Sequence, residues 1–331
     1  MNSYIERLTR LVNHLDTGPT QKHKIYLIPG SHEYRWIIPT YNRKVYQHLK
    51  SWRPYSLKAY IFWKVILFFY RMRLIHVLPN IGDVTIVSTS VIKQLAIYIG
   101  TPGPCQKLVI TDTKNQKIIK IGVGNQSSKK IYHEYKFLQQ FKLSGFPSVF
   151  EYIDHLGASI QSKSFGSLSS SNFSKDHILL LKKMPQTNVL IKLEDFMPDW
   201  QDYKKKYTFI RSIFHYPKIP NDLYFIVQHG DFCPWNILAY RGQYQLIDFE
   251  EARNNGLPLY DYLYFHVRQA QLFHGGNQIP LNKRYLLKLH DRIQDIDQLL
   301  KLNMAYMIYL AIQNNDIEFA RFINKCEFIF K

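Results

Sequence analysis

Three polar residues with a spacing that suits metal-assisted chemistry lie in the stretch 226–251. Asp231 precedes Asn236 by five positions, and Asp248 follows Asn236 by twelve positions. Asp231 and Asn236 share a short loop after the apolar run 224–227. Each residue alone is typical of an ordinary turn. The three together, in a strand–loop–hairpin context, indicate a functional site.

A β-hairpin is the element that has to position these residues. Arg241-Gly242-Gln243 separates two apolar segments and is typical of a hairpin tip. The second segment, 244–247, ends at Asp248. We therefore predict that the loop and the hairpin bring the three polar side chains to one edge of a small sheet.

The chemistry that this set suits is phosphoryl transfer. The reaction needs a carboxylate near the acceptor hydroxyl, and it needs oxygen ligands for the Mg²⁺ that neutralises the triphosphate. Asp231 is predicted to be the catalytic base. Asn236 and Asp248 are predicted to be the metal ligands, because Mg²⁺ prefers a few hard oxygen donors.

The motif that carries these residues resembles a known family. His-Gly-Asp-x4-Asn, from His229, followed by Ile-Asp-Phe-Glu, from Ile247, is similar to the aminoglycoside phosphotransferase and choline kinase family. The resemblance implies Asp231 as the base and Asn236 and Asp248 as magnesium ligands. It also implies that His229 braces the loop.

Residues 81–166 predict a small nucleotide-binding lobe. Lys120, in Lys-Ile-Ile-Lys-Ile, is the candidate for holding the α- and β-phosphates, and Lys117 is its rival. A helical pattern follows over residues 127–141 and carries Glu134. In the family pattern Glu134 pairs with the lysine. The alternatives are that Lys120 is an exposed lysine on a strand and that Glu134 is a solvated glutamate.

A glycine-bearing turn, Gly100-Thr-Pro-Gly103-Pro, follows a weakly alternating strand pattern over residues 92–99 and precedes two further predicted strands, 107–111 and 117–121. Such a turn lets backbone N–H groups approach phosphate, so Gly100 and Gly103 are candidate nucleotide-binding residues. A plain hairpin turn explains the same sequence equally well.

The resemblance implies an α+β, two-lobed protein-kinase-like fold with a small β-rich N-lobe and a larger helical C-lobe. Residues 1–80 are predicted to be an N-terminal extension, residues 81–166 the N-lobe, and residues 167–331 the catalytic and acceptor-binding C-lobe. The polar segment 167–174 is predicted to be the hinge, and Ser174 to cap the helix after it.

The C-lobe is predicted to be mostly helical. Residues 176–216, with an interruption at Met184-Pro185, and residues 257–273 and 282–331 show largely helical patterns, and Pro258 is predicted to begin the second of these. Asp261 lies in its first turn. It resembles a family aspartate that supports the catalytic loop, although an acidic side chain at a helix N-terminus is a sufficient reason for it.

Composition limits the function classes. The 331 residues carry 43 Lys and Arg against 25 Asp and Glu, a net charge of +18. This charge suits anionic partners, but no nucleic-acid module or zinc spacing is present, so we expect no nucleic-acid partner. Three widely spaced cysteines indicate a reduced compartment, and Cys233 is interpreted as a packing residue. The N-terminus lacks the apolar core of a signal peptide, which predicts a cytoplasmic protein.

Residues 59–78 are rich in aromatic and aliphatic side chains but are interrupted by Lys64, Arg71 and Arg73. The cations argue against a spanning helix. Two interpretations remain. The segment is a helix packed on the body of the protein, or it lies on an anionic membrane surface at the inner membrane face.

We therefore expect a phosphotransferase that moves the γ-phosphoryl group of ATP or GTP, with Mg²⁺, to a hydroxyl of a sugar, a glycan intermediate or an amino alcohol. The N-terminal extension and the Gly-Thr-Pro-Gly-Pro turn are loosely similar to phosphotransferases of bacterial surface-polysaccharide biosynthesis. The basic charge disfavours a polycationic aminoglycoside and favours a neutral or anionic acceptor.

Two alternatives belong to other classes. A non-catalytic nucleotide-binding regulator or scaffold would lose one of four site residues, and all four are present: Lys120, Asp231, Asn236 and Asp248. A protein kinase is disfavoured because no Ala-Pro-Glu sequence and no long activation segment follow Asp248.

Overall fold

The computed structural model shows two compact units. It describes residues 2–30, 34–52, 54, 57–170, 172–190, 192, 196–214, 223–290 and 296–330. The first unit comprises residues 1–142 and 147–167, and the second comprises residues 143–146 and 168–331. The first is built on one large antiparallel sheet and the second is mainly helical, which confirms the predicted α+β class.

The sheet of the first unit has eight strands in the order β3-β1-β2-β4-β5-β6-β8-β7, and neighbouring strands are antiparallel. They are β1 (Gln21–Pro29), β2 (Tyr34–Pro39), β3 (Gly82–Ser88), β4 (Leu95–Ile99), β5 (Lys107–Asp112), β6 (Lys117–Gly122), β7 (Val149–Ile153) and β8 (Ala158–Ser162). The strands predicted after the Gly-Thr-Pro-Gly-Pro turn are confirmed as β5 and β6.

The N-terminal strands are buried on both faces. On β1, Ile25 and Leu27 face one apolar cluster, and Tyr26 and Ile28 face another, as the two-residue period of a strand requires. Helix α1 (Asn2–Leu15) contributes to the first cluster, and α2 (Arg43–Ser51) and α3 (Leu57–Arg71) contribute to the second. The segment 1–80 therefore shares one sheet and one compact unit with the strands that follow it.

Helix α4 (Asn125–Gln140) is the helix predicted over residues 127–141, and it packs against β6 and β8. A two-residue strand, β9 (Ser167–Leu168), lies where the first unit ends.

The second unit is organised around helices that share one apolar core. Its elements are α5 (Lys175–Leu181), β10 (Gln186–Leu190), α6 (Trp200–Lys206), β11 (Tyr224–Gln228), β12 (Ile237–Tyr240), β13 (Gln243–Leu246), β14 (Arg253–Gly256), α7 (Tyr260–Gln269), β15 (Gln278–Leu281), α8 (Lys283–Leu289), α9 (Ile296–Gln313), α10 (Ile317–Lys325) and β16 (Glu327–Phe330). The core is formed largely by α7, α9 and α10, and α9 is buried around most of its circumference.

Two stretches predicted as helical contain strands instead. Strand β10, inside the predicted helical region 176–216, pairs antiparallel with β11. Strand β16, at the end of the predicted helical tail, pairs in parallel with β15. Both predictions were wrong because these short segments gain their hydrogen bonds from a distant strand, which local periodicity does not reveal. Residues 215–222, part of which fell in that region, lie outside the described residues.

Helix boundaries follow local capping chemistry. Ser174 is confirmed as the N-cap of α5, since its hydroxyl accepts a hydrogen bond from the backbone N–H of Asp176 at 3.3 Å. Helix α7 begins at Tyr260 rather than at Pro258, because Leu259 takes a left-handed conformation with φ of 69°.

Candidate active site

The loop after β11 is held by one buried carboxylate. The backbone N–H groups of His229 and Gly230 donate to the two oxygens of Asp261, at 2.8 and 2.9 Å. Burial raises the pKa of the Asp261 carboxyl, and the nearby His229 together with these two hydrogen bonds opposes the rise. Asp261 therefore accepts hydrogen bonds from the loop backbone. A favourable charge at the N-terminus of its own helix does not by itself account for these contacts.

His229 links the loop to the hairpin. Its Nδ1 accepts a hydrogen bond from the backbone N–H of Asp231 at 3.2 Å. The ring proton therefore lies on Nε2, which donates to the carbonyl oxygen of Ile247 at 3.0 Å. The side chain lies where a brace for the loop was predicted.

Asp231 and Asn236 are in direct contact. The side-chain amide of Asn236 donates to Asp231 Oδ2 at 2.8 Å and to the Asp231 carbonyl oxygen at 2.9 Å. The other carboxylate oxygen, Oδ1, accepts from the Cys233 thiol at 3.4 Å. Both amide hydrogens of Asn236 are directed at Asp231. The amide oxygen of Asn236 is therefore the side-chain atom that can bind a further partner.

Cys233 is a packing residue, as interpreted from the sequence. It is buried, and burial together with the adjacent Asp231 raises the pKa of its thiol well above the ordinary value. A thiol of this kind is a poor nucleophile, because the thiolate is the reactive form.

The predicted hairpin is confirmed. Strands β12 and β13 pair antiparallel, and both tip residues are left-handed, with φ of 49° at Arg241 and 75° at Gly242. At its open end the Ile247 N–H donates to the Asn236 carbonyl oxygen at 2.9 Å. Asn236 and Asp248 therefore lie at the same end of the hairpin. Asp248 has a left-handed φ of 67°, which few residue types other than glycine, Asn and Asp adopt.

Gly230 occupies a position that excludes a side chain. Its φ is 84°, and an added Cβ would collide with the carbonyl of Glu251. The glycine allows the loop to pass close to the segment after the hairpin.

A cavity of about 190 Å³ in the second unit reaches Gly230 and Asp231. Its charged lining combines three carboxylates with two guanidinium groups: Asp231, Glu251, Asp316, Arg253 and Arg268. The whole chain is strongly basic, with a net charge of +18, whereas the cavity lining carries charges of both signs.

Arg268 is fixed in the cavity wall by three contacts. Its Nη1 donates to Gln271 at 2.6 Å, and its guanidinium lies over the rings of Phe319 and Tyr264, at 4.7 and 5.9 Å from their centroids. Its Nε has no hydrogen-bond partner among the described residues. Arg253 is held by Tyr306, whose hydroxyl lies 3.4 Å from its Nη1.

The cavity residues outside the loop after β11 were not found from the sequence. They lie on β11, β14, α7, α9 and α10 and in the connections next to these elements, and they converge only through tertiary packing. No local spacing connects Glu251 with Asp316, so no sequence signal was available for this part of the site.

In the first unit the predicted lysine and glutamate form an ion pair. Lys120 Nζ lies 2.8 Å from each carboxylate oxygen of Glu134, and both side chains are buried. The rival Lys117 instead places its Nζ over the ring of Phe150, 5.3 Å from the centroid. The burial excludes the alternatives of an exposed lysine and a solvated glutamate.

The two candidate glycines differ. The Gly100 N–H donates to the Lys107 carbonyl at 2.8 Å, so this donor is used inside the turn. Gly103 is exposed, has a φ of 143°, and its carbonyl accepts from the Gln106 N–H at 3.0 Å. Of the two, only the Gly103 end of the turn combines exposure with a backbone conformation that favours glycine.

Comparison with known proteins connects this geometry to a family. Residues 213–295 match the model of the phosphotransferase enzyme family. No curated protein sequence matches the chain.

Solved structures resemble the chain at low identity. A choline/ethanolamine kinase family protein from Mesorhizobium loti is 11% identical, with a TM-score of 0.40 over 69% of this chain and 86% of its own. A gentamicin complex of APH(2")-IIa is 15% identical, with a TM-score of 0.47 over 71% and 91%. An ethanolamine kinase from Plasmodium vivax is 14% identical, with a TM-score of 0.44 over 86% and 94%.

The family match covers the loop after β11, the hairpin and α7, and it confirms the resemblance seen in the sequence. The first unit is β-rich and holds the Lys120–Glu134 pair, and the second is mainly helical and holds the loop after β11, as the α+β class predicts.

Proposed function

We propose that the protein is a phosphotransferase that moves the γ-phosphoryl group of ATP or GTP to a hydroxyl of a small molecule, namely a sugar, a glycan intermediate or an amino alcohol. The observation that carries the proposal is the placement of Asp231. Its carboxylate is held by the Asn236 amide, and the residue lines a cavity large enough for a small acceptor.

Asp231 acts as the base in this proposal. An acceptor hydroxyl in the cavity donates its proton toward the carboxylate as the hydroxyl oxygen attacks the γ-phosphorus, and the bond from that phosphorus to the β-phosphate oxygen breaks. The transition state is loose, so much of the rate comes from positioning. The contacts of His229, Asn236 and Asp261 serve this positioning, because together they hold the backbone and the side chain of Asp231.

Asn236 and Asp248 would hold Mg²⁺. The donor set fits the ion, because an amide oxygen directed away from Asp231 and a carboxylate at the same end of the hairpin are both hard oxygen ligands. The ion would neutralise charge on the triphosphate. Lys120, oriented by Glu134, would contact the α- and β-phosphates.

The alternative functions are less well supported. A non-catalytic regulator does not require the base, both metal ligands and the lysine pair to be retained together. A protein kinase needs a long segment after the metal-binding aspartate, whereas here α7 already begins at Tyr260 and residues 253–256 form β14.

The test is a coupled nucleotide-consumption screen with ATP and GTP in parallel, against neutral sugars, amino alcohols and phosphorylated sugars. We expect turnover with one of these acceptor classes that is lost in Asp231→Asn. The mixed charges of the cavity make amino alcohols and phosphorylated sugars the informative pair, since carboxylates would favour the former and guanidinium groups the latter. Equal nucleotide consumption by wild type and Asp231→Asn would contradict the proposal.

A further inference from the structure

Helix α3 is apolar on two opposite faces. One face carries Trp63, Ile66, Leu67 and Tyr70, which are buried in a cluster that includes Trp36 of β2. This confirms the interpretation of a helix packed on the body of the protein.

The opposite face of α3 is exposed and equally apolar. At about 100° per residue, the exposed Phe62 lies about 60° outside the main row, and five other large apolar side chains fall within an arc of about 80°. They are Leu57, Ile61, Val65, Phe68 and, directly after the helix, Met72. Leu57 is 73% exposed and Phe68 is 60% exposed. A contiguous row of this kind is uncommon on a free surface and marks an interaction site. We call this row the α3 stripe.

Cations border the α3 stripe on both sides. Lys64 and Arg71 lie along one edge, between the stripe and the buried face, and Lys58 lies along the other edge, between Val65 and the exposed Phe62. Long basic side chains at such a boundary can reach toward anionic groups while their methylene stems cover apolar surface.

The charge of the surrounding segment identifies the kind of partner. Residues 35–82 contain no Asp or Glu. The same segment contains nine Lys and Arg residues: Arg35, Arg43, Lys44, Lys50, Arg53, Lys58, Lys64, Arg71 and Arg73. A second copy of this face would bring these cations together, so self-association is disfavoured by repulsion. An anionic surface with an apolar interior complements both the stripe and its borders.

The helix is too short to cross a bilayer. Its 15 residues at about 1.5 Å each extend about 22 Å, against a hydrocarbon core of about 30 Å. No helix in the described part of the chain combines the length and apolar character of a membrane span.

We propose that the α3 stripe docks flat on an anionic lipid bilayer, with its apolar side chains in the headgroup–acyl boundary and Lys58, Lys64 and Arg71 at lipid phosphates. This surface belongs to the first unit, and its binding does not depend on the phosphotransfer proposed above. Because the cations act through a screened field, binding is salt-sensitive.

Co-sedimentation with vesicles tests the proposal. The full chain is mixed with vesicles of equal parts phosphatidylcholine and phosphatidylglycerol, or of phosphatidylcholine alone, at low and high salt. We expect binding to the anionic vesicles at low salt, loss of binding at high salt, and little binding to phosphatidylcholine. Protein that stays in the supernatant with anionic vesicles at low salt would overturn the proposal.

Matched variants localise the surface. Ile61→Ser with Phe68→Ser removes two exposed side chains of the stripe, and Phe150→Ser removes a side chain of similar exposure, 57%, on β7. We expect the double variant to lose affinity by about tenfold or more, from the apolar area removed, and Phe150→Ser to bind as wild type does. Circular dichroism checks the fold of each variant.

Two results would overturn the assignment. One is equal binding by wild type and the double variant. The other is a dimer of the wild type, seen by sedimentation equilibrium, that the double variant abolishes, since a second copy would then cover the stripe.

Discussion

The side-chain amide of Asn236 donates both of its hydrogens to Asp231, one to the carboxylate at 2.8 Å and one to the main-chain carbonyl at 2.9 Å. The proposed metal ligand therefore also orients the proposed base. A substitution at Asn236 would change both the orientation of the base and the binding of the metal. Substitutions at Asp231 and at Asp248 test the two roles separately.

Asp231→Asn removes the charge and basicity of the proposed base while keeping its size. A positioned general base contributes about 10²–10⁴-fold, so we expect kcat to fall by that order while nucleotide Kd is nearly unchanged. Steady-state kinetics and calorimetry measure the two quantities. Asp202→Asn, at an exposed carboxylate of α6, is the control and should behave as wild type does. Near-normal turnover by Asp231→Asn would show that the base is another group.

Asp248→Asn tests the metal assignment. Asn tolerates the left-handed φ of 67° as Asp does, so the change removes charge with little effect on the backbone. We expect wild type to bind nucleotide more tightly with Mg²⁺ than without it, and the variant to lose most of that difference. Calorimetry with and without Mg²⁺ decides this. A wild type with equal affinity in both conditions would leave Asn236 and Asp248 without a metal-binding role.

Asp261→Asn tests the support of the loop. The carboxylate accepts from two backbone N–H groups, whereas an amide offers one acceptor oxygen and places its NH₂ group against the other N–H. Leaving a buried donor unsatisfied costs about 1–3 kcal/mol, so we expect the free energy of unfolding to fall by that amount. Urea denaturation measures it, with Asp176→Asn as a control on α5. An unchanged urea midpoint would mean that Asp261 is not needed to hold the loop.

The stability of the protein should fall on mild acidification. Burial lowers the pKa of His177 and of His266 from 6.5 to about 4. The unfolded chain therefore takes up protons at these sites before the folded chain does. Their contribution is complete above pH 6.5 and is lost as the pH falls from 6.5 to about 4.

Urea midpoints measured across that pH range test this expectation. In His177→Asn the amide oxygen can replace Nδ1 as the acceptor for the Ser174 N–H, and we expect a weaker pH dependence than in wild type. Asp261 has a raised pKa and acts in the opposite direction as the pH falls, so the comparison between variant and wild type isolates the histidine. Identical pH dependence in the two proteins would contradict the assignment.

Sequence reasoning succeeded where the controlling interactions are local. The loop from His229 to Asn236 and the hairpin that ends before Asp248 depend on turn residues and on neighbouring apolar runs. The Lys120–Glu134 pair was predictable because a strand and the next helix bring the two residues together.

It failed where distant segments meet. Strands β10 and β16 form only because a partner strand lies elsewhere in the chain. The cavity next to Asp231 draws Glu251, Arg268 and Asp316 from segments on both sides of α9. The periodicity of one segment does not predict where another segment will pack. The two strands and the cavity were therefore identified only from the folded chain.

The buried face of α3 has a consequence for how quickly the exposed face could act. Trp63 and Tyr70 hold the helix against the sheet whether or not anything contacts the other side. A peptide that becomes helical only at a bilayer must lose its conformational entropy there, and its affinity is reduced by that cost. Here the ordering is complete once the chain has folded. Encounter with a surface would be a rigid-body event, with a rate set by diffusion and electrostatic attraction rather than by helix nucleation.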